Sequence, residues 1–413
     1  MWTVLSSKQQ DFLQRCDHRW NVKTGATGSG KSWLDYAVVI PQRLLAMRGE
    51  GAAVILGNTQ GTANRNILEP MRDIWGEQLV GTIGSDNSAK LFGRKVYVMG
   101  ADNKKHVARI QGMTIEYAYG DEITTWAEGV FQMLKSRLRC PHSHFDGTCN
   151  PDAPKHWFKT FLDSGADIYC QPSTIFDNPF LPKEFVENLC KEYAGTVYYN
   201  RFILGQWVAA EGVVYRQFAD DPERFIMDDL PEGDAIRNAV IGVDFGGGTS
   251  AHAFCCMGFT VKGRMVVLDE YREKAALTPD KLARDFVDFV RRCKARWLVT
   301  DCWCDSAEQT LINGLRSAAA SAGLGLNIGN AMKRAINDRI RATCILMGSG
   351  RFFVARNCVE TIDALKSALW DAKHVTEDVR LDDGTTNIDN LDAMEYSFER
   401  EIPGLIDGWR FTA

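Results

Sequence analysis

The chain has 413 residues, a formal net charge of -5, 45% hydrophobic residues and 24% charged residues. This length exceeds one ordinary hydrophobic core and predicts two domains of roughly 200 residues each. The negative net charge excludes a global attraction to nucleic acid, so DNA binding would need a local basic surface and would depend strongly on salt.

The sequence also argues against membrane and disulfide-rich classes of protein. No stretch approaches the ~20 continuous apolar residues that span a bilayer, and the start lacks the pattern of a signal peptide. The 12 cysteines include Cys255-Cys256 and Cys302-x-Cys304, which lie within apolar, strand-like segments. We therefore expect a cytoplasmic protein with reduced, buried thiols and no structural zinc site.

The first half of the chain alternates predicted strands and helices. Strands are expected at "WNVKTGA", "GAAVILGNT", "TIEYAYGDE" and "SHFDGTCNP", with helices at "SWLDYAVVIPQRLLAM" and "ANRNILEPMRDIWG" and a hairpin near "KLFGRKVYVMGA". Strands separated by helices predict a mainly parallel sheet. We assign residues 1–208 to this first α/β domain.

The periodicity fades over residues 209–236, where Pro, Gly and Asp accumulate, and we predict a linker there. A second α/β domain, residues 237–413, begins with three successive strands at "NAVIGVDFGGG", "AHAFCCMGF" and "RMVVLDEY". An amphipathic helix, "KLARDFVDFVRRCKAR", leads into the strand "WLVTD", and the last helix is predicted from "IDNLDAMEYSFER".

The segment "NVKTGATGSGKSW" has the GxxxxGK[ST] spacing between a predicted strand and a predicted helix. Glycines let backbone N–H groups face phosphate, Lys31 would lie on the β and γ phosphates, and Ser32 would bind Mg²⁺. A simple glycine-rich turn is the alternative. The predicted ATP-binding residues of this loop are Gly25, Gly28, Ser29, Gly30, Lys31 and Ser32.

A nucleotide site of this kind needs an acid on a neighbouring strand, and the apolar run "TIEYAYG" ends in Asp121-Glu122. Asp121 is predicted to hold Mg²⁺ and Glu122 to act as the general base on the attacking water. By itself, an Asp-Glu pair after a strand is often a solvated turn. The upstream loop is what favours the functional interpretation.

Hydrolysis also requires a cation near the γ-phosphate. Arg137 and Arg139 follow the acid pair and are candidates, in cis or on the site of a neighbouring subunit. Surface charges on a helix are the alternative. Gln9 is a candidate for reading adenine, or is only a polar residue near the start of the chain.

Acidic residues recur at element ends in the second half. Asp244 ends a predicted strand, Asp301 ends another, Asp305 follows shortly after, and Asp389 and Asp392 open the last helix on one face. Acids on two strands and a helix are typical of the two-metal site of RNase H-like nucleases. This pattern predicts a nuclease that uses two Mg²⁺ or Mn²⁺ ions.

Each acid also has a structural interpretation. Asp389 could be only the N-cap of its helix, and Asp301 only a residue of a turn. The segment "DFGGGT" also suits the phosphate loop of actin-like and sugar-kinase folds. That alternative requires a second phosphate loop and an adenosine loop downstream, and we find neither.

The order of these motifs resembles that of the large terminase subunit of tailed bacteriophages over nearly the whole chain. The segment "GTCNPDAPKHWF" is similar to the coupling motif of the family, which implies that Thr148 and Asn150 sense the γ-phosphate. "CDSAEQTLINGLR" resembles its second acidic motif, which implies Asp305 rather than Asp301 as the metal ligand. "NIDNLDAMEYSF" resembles its last motif, which implies Asp392, with Asp389 where the family often has His or Asp.

The resemblance implies a P-loop ATPase followed by an RNase H-like nuclease. It implies ATP-driven movement of double-stranded DNA into a procapsid through a portal protein, and cutting of concatemeric DNA. It also implies a small terminase subunit as partner and a homo-oligomeric ring, a pentamer, docked transiently on the procapsid in the host cytoplasm. Lys333 and Arg334 are candidates for the local DNA contact.

One departure from the family concerns the loop, where Gly28 stands at the position of an arginine in many relatives. The resemblance therefore supplies no arginine from the loop itself. Two other functions stay open. One is a helicase-nuclease of DNA repair without a capsid, although no further helicase motifs follow "GTCNP". The other is a C-terminal docking module whose acids are vestigial.

Overall fold

The computed structural model of the chain describes residues 5–103, 105, 107–246, 250–274, 277–374, 376–383 and 386–404. It divides into two compact units. Unit 1 comprises Met1–Val186, Tyr198–Ala209 and Val375–Glu377, and unit 2 comprises Glu187–Val197, Ala210–His374 and Asp378–Ala413. The boundaries at 208 and 236 drawn from the sequence stay predictions.

Unit 1 contains a seven-stranded sheet in the order β3-β4-β2-β5-β6-β1-β7. All neighbouring strands are parallel except the hairpin of β3 and β4. The strands are β1 Trp20–Gly25, β2 Ala52–Gly57, β3 Ser88–Leu91, β4 Arg94–Gly100, β5 Ile115–Gly120, β6 His144–Cys149 and β7 Ile168–Ser173. The predicted mainly parallel sheet is confirmed.

The central strands of unit 1 are buried along their whole length, as expected when helices cover both faces of a parallel sheet. Residues Lys31 to Ala46 form one continuous helical run after β1, comprising α2, a π-helical segment and α3. The helices are α1 Ser7–Arg15, α2 Lys31–Leu34, α3 Ile40–Ala46, α4 Gln60–Ala63, α5 Glu69–Trp75, α6 Val107–Ile110, α7 Glu128–Lys135, α8 Trp157–Leu162 and α10 Val197–Phe202. Helix α9, Lys183–Tyr193, is divided between the two units at Val186.

Unit 2 contains a second seven-stranded sheet in the order β13-β12-β9-β10-β11-β14-β8. Strands β9, β10 and β11 are antiparallel, whereas β12 runs parallel to β9 and β14 runs parallel to β11. The strands are β8 Ile226–Met227, β9 Ile236–Asp244, β10 His252–Thr260, β11 Met265–Glu273, β12 Val299–Cys304, β13 Asn327–Asn330 and β14 Phe352–Ala355. This mixed sheet is the RNase H-like α/β architecture expected from the sequence.

The last helix of unit 2 lies directly on strand β9. A Cβ atom at Gly242 would be 1.8 Å from the carbonyl oxygen of Ala393, so only glycine permits this close approach. The contact brings the first turn of the helix near the end of β9. The helices are α11 Arg216–Asp220, α12 Pro279–Lys294, α13 Gln309–Ser321, α14 Ile336–Gly348, α15 Val359–Ser367 and α16 Asp389–Phe398.

The cysteines and the helix lengths bear on the predicted absence of disulfides and of membrane-spanning segments. Every cysteine has a free thiol, and Cys255, Cys256, Cys302 and Cys304 are buried, as expected. Among the described residues, no helix has both the length and the apolar character needed to cross a bilayer.

Candidate nucleotide and metal sites

The glycine-rich loop follows β1 and uses glycine where other residues would be strained. Gly25, Gly28 and Gly30 have φ angles of 142°, 74° and 81°. A Cβ atom at Gly25 would lie 2.0 Å from the carbonyl oxygen of Ser173. The loop therefore packs its backbone against β7 and turns sharply into the helix that begins at Lys31.

Lys31 folds back over the loop. Its Nζ donates to the carbonyl oxygens of Gly25 and Ala26 at 3.0 and 2.6 Å, and to the side chains of Ser29 and Asn150 at 3.3 Å each. Burial lowers the pKa of Lys31 to about 8. Because uncharged oxygens make these contacts, the amine is poorly compensated until an anion binds.

Asp121 follows β5 and is the centre of a compact polar group. Its Oδ1 accepts from Thr148 Oγ1 at 2.9 Å and from Ser32 Oγ at 3.5 Å, and its Oδ2 accepts from Asn66 Nδ2 at 3.2 Å. Asp121 is 3% exposed. The structure thus brings together the predicted Ser32, Asp121 and Thr148, and adds Asn66, which no motif had indicated.

Glu122 and Asn150 complete this end of the sheet. Glu122 has a φ angle of 52°, a conformation that non-glycine residues rarely adopt and that often marks functional sites. Asn150 directs its side chain to Lys31, while its carbonyl oxygen accepts from Thr124 Oγ1 at 3.1 Å. Asn150 is therefore in direct contact with the lysine of the loop.

The structure places Gln9 in contact with the loop. Its Nε2 donates to the carbonyl oxygen of Gly30 at 3.2 Å, and its Oε1 accepts from the N–H of Ser6 at 2.9 Å. Both ends of the amide are thus used by the protein backbone. An amide NH₂ has two donors and an amide oxygen has two acceptor sites, so these contacts do not exclude a base, and adenine recognition by Gln9 stays a prediction.

Arg137 and Arg139 lie at the opposite end of the sheet from the loop. The carbonyl oxygen of Arg137 accepts from the N–H of Ile115, the first residue of β5, whereas Asp121 follows the last residue of that strand. A six-residue strand spans roughly 17 Å. The cis role is therefore wrong, and action on a neighbouring subunit stays a prediction.

The acids of unit 2 gather at the end of β9. The N–H of Asp305 donates to the carbonyl oxygen of Val243 at 2.9 Å, which places Asp305 beside Asp244. The pKa of Asp244 is raised well above its usual value by burial and by the carboxylates of Asp392, Asp305 and Asp389. These four acids therefore share one electrostatic environment.

Asp301 does not belong to this group. It lies inside β12, opposite Val240, because the strand continues to Cys304 rather than ending at Asp301. Its carboxylate accepts from Asn327 Nδ2 and Thr300 Oγ1, each at 2.7 Å. The prediction that Asp301 contributes to the metal site is corrected in favour of Asp305.

Asp392 and Asp305 are paired with basic side chains. Arg339 and Arg380 donate to Asp392 Oδ1 at 2.9 and 2.6 Å, and the Nζ of Lys333 contacts Asp305 Oδ1. Both arginines also pair with the fully buried Glu395, at 2.9 and 2.8 Å. In the described part of the chain, no three His, Cys, Asp or Glu side chains are arranged as a metal-binding cluster.

Asp389 is the first residue of α16 and is not its N-cap, a position that Ile388 occupies. Its Oδ2 accepts from the N–H of Ala251 at 3.1 Å and lies 3.7 Å from Arg272. Burial raises the pKa of Asp389. Asp389 thus holds the start of β10, and residues 247–249 of the "DFGGGTS" segment lie outside the described residues.

Glu399, immediately after α16, holds the basic loop that carries Lys333. Its carboxylate accepts from the N–H groups of Met332, Lys333 and Arg334, the last two at 3.2 and 3.1 Å. Glu399 is 1% exposed, and Lys333 has a φ angle of 51°. The loop is therefore fixed to the helix that bears Asp392.

Residues 24–219 match the family model described as "Terminase large subunit, T4likevirus-type, N-terminal". No curated protein sequence was found to match the chain.

Solved structures resemble the chain over nearly its whole length. The large terminase of a thermophilic bacteriophage has a TM-score of 0.83 at 22% identity, covering 96% of this chain and 99% of that chain. The ADP complex of the same terminase has a TM-score of 0.81 at 22% identity, covering 97% of this chain and 100% of that chain. Its ATP-gamma-S complex has a TM-score of 0.79 at 22% identity, covering 95% of this chain and 98% of that chain. At this identity the similarity establishes the two-domain fold.

Proposed function

We propose that this chain is a large terminase subunit, the ATP-driven motor of viral DNA packaging, and that it also carries an endonuclease. One observation carries the proposal: Lys31, Ser32, Asp121 and Thr148 meet at the carboxyl ends of three adjacent strands, β1, β5 and β6. Ligands bind at this end of open α/β sheets.

The geometry supports phosphoryl transfer to water as the chemistry of unit 1. The loop N–H groups and Lys31 would bind the phosphates, and Glu122 would orient and deprotonate the attacking water. Ser32 Oγ and Asp121 Oδ1, 3.5 Å apart, would hold Mg²⁺. When bound, Mg²⁺ would neutralise part of the phosphate charge. Thr148 contacts Asp121 and Asn150 contacts Lys31, and through these contacts both would respond to the γ-phosphate.

For unit 2 we propose cutting of concatemeric DNA with Asp244, Asp305 and Asp392 as the metal ligands. Their chemistry fits Mg²⁺ or Mn²⁺, since all donors are carboxylate oxygens. The pKa of Asp244 is raised by burial and by the neighbouring carboxylates of Asp392 and Asp305. Two such ions would stabilise charge on the attacking and leaving oxygens of a phosphodiester. Lys333, in contact with Asp305, would be available to the DNA phosphates.

One observation favours a second candidate function for unit 2. The carboxylates of Asp305 and Asp392 already have basic partners, as acids in a purely structural network would. In that case unit 2 would be a docking module for the portal, and the chain would move DNA without cutting it. A cleavage assay separates the two functions.

The partners and the place of action are part of the same proposal. Double-stranded DNA, the portal protein and the small terminase subunit would be the partners, with a ring of five large subunits docked transiently on the procapsid in the host cytoplasm. A helicase-nuclease without a capsid would instead separate DNA strands in the absence of portal protein. A strand-displacement assay without portal is therefore the matching test.

Two variants test the two sites. Lys31→Ala should abolish ATP hydrolysis by the purified protein, and normal hydrolysis would remove the assignment of unit 1. Asp244→Ala should abolish cleavage of plasmid DNA in Mn²⁺ or Mg²⁺ while sparing the ATPase. Unchanged cleavage by this variant would show that the acidic group is not a nuclease site.

A further inference from the structure

Two side-chain amides from outside the phosphate loop hold carbonyl oxygens of the loop. Gln9 Nε2, in α1, donates to Gly30 at 3.2 Å. Asn178 Nδ2, in the segment after β7, donates to Gly28 at 2.7 Å. These residues come from different parts of the sequence and hold alternate peptides of the loop.

The other end of each amide is fixed to its own segment. Gln9 Oε1 accepts from the N–H of Ser6 at 2.9 Å, and Asn178 Oδ1 accepts from the N–H of Phe180 at 3.1 Å. An amide oxygen accepts and an amide NH₂ donates, so these contacts determine which way each amide points. The oxygen anchors the side chain, and the NH₂ group faces the loop.

Holding these carbonyl oxygens determines where the neighbouring N–H groups point. In a planar trans peptide, C=O and N–H point in opposite directions. The peptides concerned join Gly28 to Ser29 and Gly30 to Lys31, and both glycines have positive φ angles. Glycine would otherwise let these peptides rotate, at an entropic cost when phosphate binds.

We propose that Gln9 and Asn178 form an amide clamp, a pair of positioning residues that orient the N–H groups of Ser29 and Lys31 for phosphate before nucleotide binds. The inference rests on the proposed ATPase function of unit 1 and adds to it. It assigns Asn178 a role that no motif indicated. It also assigns Gln9 a role at the phosphate loop, and base recognition by Gln9 is the alternative that the test below separates.

Isosteric acids test the clamp, because they keep the anchoring oxygen and replace only the donating NH₂. Asn178→Asp should raise the KM for ATP about tenfold, which corresponds to the loss of one hydrogen bond. This rise should be at least as large as the rise caused by Asn178→Ala. Gln9→Glu should have a smaller effect, since Gly30 also accepts from the N–H of Leu34 at 3.2 Å. For each variant, the KM for GTP should rise by the same factor.

Gln10→Glu is the matched control. Gln10 lies next to Gln9 in the same helix, is exposed, and donates to the carbonyl oxygen of Leu5 at 3.0 Å rather than to the loop. The Gln10→Glu variant introduces the same negative charge as Gln9→Glu and should leave the KM for ATP unchanged. A rise in KM caused by loss of the clamp should persist at high ionic strength. A rise caused only by charge repulsion of the nucleotide would be screened by salt.

The readouts are the binding of a fluorescent ADP analogue, and KM and kcat with ATP and GTP. A wild-type KM in Asn178→Asp would overturn the clamp, because the local turn alone would then explain Asn178. A change in the ATP/GTP preference of Gln9→Glu would overturn it for Gln9 in favour of base recognition. If the wild-type protein neither bound nor hydrolysed nucleotide, the proposed function itself would be wrong.

Discussion

Raising the pH should weaken nucleotide binding through Lys31, because the free protein and the complex differ in the charge of this residue. Burial lowers the pKa of Lys31 from 10.5 to about 8 in the nucleotide-free protein. Phosphate beside the amine should return the pKa to at least its usual value. Between these two values, binding must take up a proton, so the affinity should fall up to about tenfold per pH unit.

At about pH 9.5 the free protein would be about 1.5 pH units above the pKa of Lys31, a cost of about 2 kcal/mol or about 30-fold in affinity. ADP is suitable as the ligand because its phosphate group, with a pKa of about 6, is fully ionised above pH 8. Calorimetry in buffers with different ionisation enthalpies would count the protons taken up. Lys31→Arg stays charged, so its affinity should not depend on pH in this range. An equal wild-type affinity at pH 7 and 9.5, without proton uptake, would refute the reasoning.

Three further predictions concern other parts of the chain. Burial raises the pKa of Glu192 to about 7, so the folded state keeps a proton that the unfolded chain releases, and stability should fall by up to about 3 kcal/mol as the pH rises from about 4.5 to 7. Glu192→Gln should remove that fall in denaturant unfolding at pH 5 and 8. Gly242→Ala should lower stability by about 3 kcal/mol in thermal denaturation, since its Cβ would lie 1.8 Å from a backbone oxygen of α16. Asp301→Asn should cut plasmid DNA normally, whereas Asp305→Asn should not, and equal behaviour of the two would contradict the assigned strand register.

The parts of the molecule that the sequence predicted are those with a local pattern. The parallel sheet of unit 1 follows from alternating apolar runs, and the phosphate loop from the spacing of Gly25, Gly30 and Lys31. Asp121 could be placed because the carboxyl ends of parallel strands meet at one edge of a sheet. In each case a short segment contains the whole signal.

What the sequence could not provide depends on contacts between distant segments and on strand ends. Asn178 is separated from Gly28 by 150 residues, and no spacing rule connects them. Arg137 was misplaced because a residue close in sequence to Asp121 can lie at the far end of the same strand. Asp301 was misplaced because the apolar strand continues through Cys304, and strand boundaries are the least reliable part of such predictions.

Because Glu399 is attached to the basic loop, the length of α16 fixes the distance between this loop and the start of the helix. This helix of ten residues is about 15 Å long, with Asp392 in its first turn and the anchor for Lys333 at its far end. The separation between Asp392 and the backbone of the cationic loop is thereby set by helical rise rather than by flexible side chains. A shift of the helix would carry Asp392 and the backbone of this loop together, so the spacing between this acid and the loop proposed to contact DNA would be kept.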